Sequence, residues 1–193
     1  MKPDRLNALT DGVVAIAITI IVLELPVPEE PTLAGLRAVI PMLLAYLLTF
    51  VNIGIFWNNH HHMLAVTRMV DGRVLWANLS LLFFISLMPF VIRWIDEAGF
   101  GALPTASYGV VLLGAAISYQ ALERSIMHVE GEQSELRSAI GMDVKAWASA
   151  IAYLAAVGLA FVAPIASIII YALNAAAWFI PDRRIEEAHK RRQ

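Results

Sequence analysis

Long uncharged runs recur along this chain and constrain its folding more than any other feature. An α-helix needs about 20 mostly apolar residues to cross the hydrocarbon core of a bilayer. Six stretches reach or approach that length: residues 6–25, 36–57, 74–94, 105–122, 145–163 and 165–180. The helices of a soluble bundle carry a charged outer stripe, which these runs lack. Composition points the same way. Of 193 residues, 59% are apolar and only 16% charged, with a mean hydropathy of +0.68. A typical soluble domain is about half apolar and a quarter charged. The expectation is an all-α integral membrane protein, a single six-span domain with a charged tail at 181–193.

Several chemistries fall away. Zero cysteines exclude a disulfide scaffold, an iron–sulfur cluster and a thiolate zinc site. A net charge of −2 and a pI near 6.2 speak against a nucleic-acid partner. No nucleophile–base–orienter set is evident, so an enzyme is not expected. Short loops leave no room for a soluble domain. The longest polar connection, 128–143, reads as a solvated helix–loop.

Lysines and arginines orient the spans. Six spans place both termini on one side, which then holds 12 of the 14 basic residues; only Arg37 and Arg93 fall on the other. Both termini are therefore expected in the cytoplasm, in a multi-pass protein of the cell membrane. The tryptophans at 57, 76, 94, 147 and 178 sit near proposed span ends, as an aromatic belt requires. The first run continues to Leu25 without a cleavage pattern, so it is read as a retained span. The last two spans meet at Ala163-Pro164. Proline disfavours helix at the preceding residue, which favours a tight turn there; one long kinked helix is the competing reading.

Ionisable groups inside a span are functional candidates by default. Asp11 is the first, and its carboxylate calls for a partner, either Arg5 or a histidine of the second span. A structural alternative makes Thr10 or Asp11 the N-cap of a helix starting at Gly12. His60-His61-His62 ends the second span. Neighbours on a helix diverge by 100° and do not face one metal, so packing and hydrogen bonding are the expected role. Ile16, Thr19, Ile20 and Leu23 share one helical face. That face suits packing, lipid, or the lining of a central pathway in a symmetric oligomer. Glu24 follows near the outer end, as a solvated helix end or as a ring of carboxylates that concentrates cations.

The run Arg5-Leu-Asn-Ala-Leu-Thr-Asp-Gly-Val-Val-Ala-Ile-Ala-Ile-Thr-Ile-Ile-Val-Leu-Glu-Leu25 resembles the opening helix of the transmembrane protein 175 family of potassium channels, in its prokaryotic form. That family carries Arg-x-x-x-Phe-Ser-Asp, then Gly and an Ala-Ile-Ala-x-Thr run. Phe56-Trp57-Asn-Asn-His60-His61 resembles its Phe-Trp-x-x-His-His segment, and Trp76-Ala-Asn78 and Pro89-Phe90 resemble points of its third helix. Here Leu9-Thr10-Asp11 replaces Phe-Ser-Asp, which keeps the hydroxyl and loses the ring.

The resemblance implies a homotetramer of six-span subunits whose first helices surround a central pore. Ile16 then matches the narrowest apolar constriction, Thr19 the hydroxyl ring, and Ile20 and Leu23 further apolar pore positions, with Glu24 at the mouth. Arg5, Thr10, Asp11, His60, His61, Trp76 and Asn78 match the network that holds the pore helix. No cofactor is implied; potassium is the permeant ion, at modest selectivity, because the Thr-Val-Gly-Tyr-Gly carbonyl filter is absent. A small proton-coupled secondary transporter and a non-conducting membrane scaffold are the alternatives.

Overall fold

The computed structural model describes residues 3–134, 136–137 and 144–179, and these are mostly helical. The helices are α1 (Asp4–Leu23), α2 (Leu33–Val66), α3 (Gly72–Ser86), α4 (Met88–Ala98), α5 (Ala102–Glu130), α6 (Val144–Leu159) and α7 (Pro164–Phe179). A 3-10 turn, Gly131–Gln133, follows α5. The tail at 181–193 and, within the expected polar connection, residues 135 and 138–143 lie outside the described residues.

Helix α1 buries Leu6, Thr10, Val14, Ala17 and Ile21, spaced by three or four residues. This stripe packs against α2, α3 and α4. Its start at Asp4 removes the capping alternative, because Thr10 and Asp11 lie well inside the helix. Helix α2 opens on Thr32, whose hydroxyl accepts the Gly35 N–H at 3.1 Å. Its 34 residues extend about 51 Å at 1.5 Å per residue, beyond a hydrocarbon core of about 30 Å.

The single helix expected over 74–94 is instead two, α3 and α4, joined at Leu87. Pro89 accounts for the interruption: it has no N–H to return to Ile85, and its ring crowds that carbonyl. Leu87 keeps φ −83° and ψ −13°, so Gly72–Ala98 still forms one apolar stretch of 27 residues.

Helix α5 runs through the bundle, against α3 on one side and α6 on the other. Two glycines permit that approach. A Cβ on Gly114 would collide with the Phe84 ring of α3, and one on Gly109 with the Tyr171 hydroxyl and, at 2.7 Å, with Val157. Small residues at such crossings let transmembrane helices approach closely. Thr49 and Tyr108 hydroxyls meet at 3.0 Å, joining α2 to α5.

Helices α6 and α7 are separate and antiparallel, with a turn at 160–163 and Pro164 opening α7. Ser167 donates to the Ala156 carbonyl at 2.8 Å, and Trp178 Nε1 donates to Ser149 Oγ at 2.7 Å. Those pairings run in opposite directions along the two helices, which defines a hairpin and sets aside one long kinked helix. Each helix has 16 residues, about 24 Å at 1.5 Å per residue, shorter than a hydrocarbon core of about 30 Å. The expected end of the sixth span at residue 180 lies outside the described residues.

Candidate functional site

The site is built on α1, whose two faces have opposite characters. One face is the buried stripe just described. The other carries Gly12, Ala15, Ile16, Thr19, Ile20 and Leu23, all exposed in the single chain. Ile16 is 60% exposed and Leu23 79%. Ile16, Thr19, Ile20 and Leu23 therefore do share one uncovered face, as their spacing requires.

Thr19 has a specific hydrogen-bond geometry. Its hydroxyl donates back to its own helix, to the carbonyls of Ala15 (3.0 Å) and Ile16 (2.9 Å). The single hydroxyl proton is thus used within the helix. The oxygen's lone pairs stay available on the uncovered face.

Behind α1 three buried polar side chains meet, one each from α1, α2 and α3. His60 Nε2 lies 2.8 Å from Asn78 Oδ1, Asn78 Nδ2 donates to Thr10 Oγ1 at 3.2 Å, and Thr10 Oγ1 lies 3.5 Å from His60 Nε2. An amide oxygen only accepts, so His60 carries its proton on Nε2 in this arrangement. Each residue is almost completely buried. Such groups are costly to bury unless they bond one another, so the triad fixes how α1 sits on α2 and α3.

Asp11 bonds differently from expectation. Neither Arg5 nor a histidine holds its carboxylate; Trp57 Nε1 donates to Asp11 Oδ1 at 2.8 Å. The His61 ring stacks obliquely on Trp57, with centroids 6.0 Å apart. The Trp57 indole is 41% exposed, and the Asp11 carboxylate one helix away accepts its N–H. The sequence marked Trp57 only as an interfacial aromatic, although it stands in the Phe-Trp-x-x-His-His segment. Arg5 is exposed, and Trp76 is 75% exposed; the structure brings neither into the buried triad.

Glu24, at the C-terminal end of α1, faces Arg93 of α4, with Oε2 3.6 Å from Nε. Arg93 Nε also donates to Glu97 Oε1 at 2.9 Å. The carboxylate therefore sits beside a cation shared with a second carboxylate, rather than standing alone at the helix end.

Comparison with known proteins places this arrangement in context. The family profile for the endosomal/lysosomal potassium channel TMEM175 matches residues 5–89, the region that contains α1, the triad and the Asp11–Trp57 bond. A protein of Chryseobacterium sp. (strain P1-3), named as a potassium channel, is 46% identical over 190 residues, covering 98% of this chain and 99% of the relative. A potassium channel of Streptomyces collinus is 29% identical over 169 residues, 82% of each chain. The crystal structure of a lysosomal potassium-selective channel TMEM175 homolog from Chamaesiphon minutus superposes with a TM-score of 0.76 at 26% identity, over 93% of this chain and 97% of that one. With a relative this similar over nearly its whole length, the chain belongs to the TMEM175 family of potassium channels.

Proposed function

We propose that four copies of this chain surround a central pore lined by the uncovered face of α1, and that the pore passes potassium with modest selectivity. The observation that carries this reading is the two-faced α1. Its polar network is buried behind it, and Ile16, Thr19, Ile20 and Leu23 stand in front, exposed, with nothing among the described residues to cover them. An apolar stripe left open by one chain is covered by other copies, by lipid, or by the axis of an oligomer. The hydroxyl at Thr19 favours the axis, because four such oxygens with free lone pairs form an acceptor ring for a cation that has lost part of its water.

Ile16 forms the narrow ring. An apolar constriction gates by dewetting: when it narrows, water leaves and the barrier to an ion rises. Isoleucine is stiff at χ1, so opening requires rotation or outward movement of α1. The Thr10–His60–Asn78 triad then sets the rest position of the gate. Asn78→Leu at the triad should therefore change open probability as well as stability. Glu24 flanks the outer mouth, its charge partly offset by Arg93. The basic-residue asymmetry puts both termini in the cytoplasm of a cell-membrane protein.

The test is potassium-gradient-driven flux into liposomes holding the purified protein, with sodium as the paired control. Flux favouring potassium supports the reading. Equal flux of both ions keeps the pore and discards the selectivity. Absence of flux in folded protein, with Ile16→Asn equally silent, rejects the pore.

A further inference from the structure

Inside the bundle, α2, α5, α6 and α7 surround a cavity of about 40 Å³. None of its walls comes from α1, so it stands apart from the proposed pore face. Three alanines make the void, Ala116 on α5, Ala146 on α6 and Ala175 on α7, and Phe56, Tyr153 and Trp178 supply rings around it. None of the described walls carries a formal charge, so an ion inside would be buried without a partner.

Most polar side chains around the cavity are already bonded. Gln120 Nε2 donates to the Ala146 carbonyl at 3.5 Å, and its Oε1 accepts from Arg124 at 3.4 Å. Asn52 Nδ2 donates to the Leu48 carbonyl at 2.9 Å. Two capacities are left over. Asn59 Nδ2 donates to the Ile55 carbonyl at 2.9 Å, and Asn59 Oδ1 has no partner among the described residues. Ser149 Oγ accepts the Trp178 indole N–H at 2.7 Å, and its own proton has no acceptor among the described residues. One acceptor and one donor therefore stand in an otherwise apolar setting.

The cavity also has a mouth. Ile55, Asn59 and Trp178 belong both to its wall and to a wider cleft of about 280 Å³ on the surface between α2 and α7. Phe50 and Val51 make that cleft apolar, and Gly54 leaves it open, since a Cβ there would meet nothing within 4 Å.

We infer that these joined spaces bind a small uncharged alcohol, with its hydroxyl in the cavity and its alkyl chain in the cleft. The hydroxyl accepts from Ser149 and donates to Asn59 Oδ1, which uses both spare capacities at once. Size and polarity select this occupant over water. One water fills about 10–15 Å³ of such a cavity and needs about two to four polar partners. Several waters would have to share one donor and one acceptor, whereas an alcohol sets carbon against the alanines and rings. The site needs no contribution from the pore.

Bromine quenches tryptophan on contact, and Trp178 borders both spaces. The full-length protein in phosphatidylcholine vesicles is titrated with bromopropanol and, separately, with bromopropane, at matched concentrations in the membrane. The Trp178 signal is the difference between the native chain and Trp178→Phe. Saturable quenching is expected, with the alcohol binding about three- to tenfold more tightly than the bromoalkane, the worth of its hydrogen bonds. Ala116→Leu and Ala175→Val each fill the cavity from a different helix. Each should abolish the saturable phase without lowering the melting temperature, and either one suffices if the other fails to fold. Quenching of the native chain that only rises in proportion to concentration overturns the site, whether water or a neighbouring subunit fills it. Saturation that survives in a folded, filled variant places the ligand elsewhere and overturns it too. Equal affinity for the alcohol and the bromoalkane overturns the hydroxyl assignment.

Discussion

At Thr19 one oxygen decides what the proposed pore face can do. Its proton is shared between the Ala15 and Ile16 carbonyls, so its lone pairs are the polar feature of that stretch of α1. Thr19→Val keeps the shape and removes the oxygen. Thr19→Val should lower the preference for potassium over sodium, read as a shift in bi-ionic reversal potential, whereas Thr19→Ser should keep it. At Ile16, asparagine should wet the constriction and raise resting flux, and alanine should do so less. Behind the helix, Asn78→Ala removes the 2.8 Å acceptor of the buried His60 Nε2–H and leaves it only Thr10 Oγ1 at 3.5 Å. Such a loss costs about 1–3 kcal/mol, visible as a lower melting temperature in detergent. Asp11→Ala and Trp57→Phe break the same bond, so their combination should be no worse than the more severe single variant; additive losses would show that the bond is not shared. The family resemblance put Thr10, His60 and Asn78 in one network, without saying which bonds which. It could not name Trp57 for Asp11. That pairing joins residues 46 positions apart, and choosing among Arg5, two histidines and an indole needs the rotation of α1 against α2.

Among the helices, apolar length and proline position account for most of what was legible. Apolar runs coincide with four helical stretches long enough to cross a membrane and with the two shorter helices α6 and α7, and Pro164 marks the turn between those two. Pro89 carried the same kind of information but was read as lying within one helix, because the apolar run continues across it. The run does continue; it is the backbone ladder that is interrupted at Leu87. The close helix crossings were not legible, since glycine at 109 and 114 has no pattern until the facing Tyr171 and Phe84 are known. Gly114→Val should overpack the α3–α5 crossing and destabilise the fold by about 1–3 kcal/mol. The drop in melting temperature should come without a change in ion preference, because that crossing lies away from the proposed pore face of α1.

For the molecule as a whole, one chain presents a finished interior and an unfinished surface. The buried stripe of α1 is packed within the chain, and its other face has no cover among the described residues. Fourfold assembly around that face is the claim on which the pore, the Thr19 ring and the Ile16 constriction all stand. A sequence cannot supply a symmetry axis, so the periodicity that grouped those four residues fits packing, lipid and pore equally well. The absence of cysteine from the native chain offers a clean way to decide. Single cysteines at residues 16, 19, 20 and 23, and at buried positions 14, 17 and 21, can each be treated with a small charged thiol reagent during recording. Progressive loss of potassium current at the first set, with the second set unaffected, is the predicted result. Current that is indifferent to modification at 16, 19, 20 and 23, in channels shown to conduct, would mean that ions take another path and that this face of α1 meets lipid or protein instead.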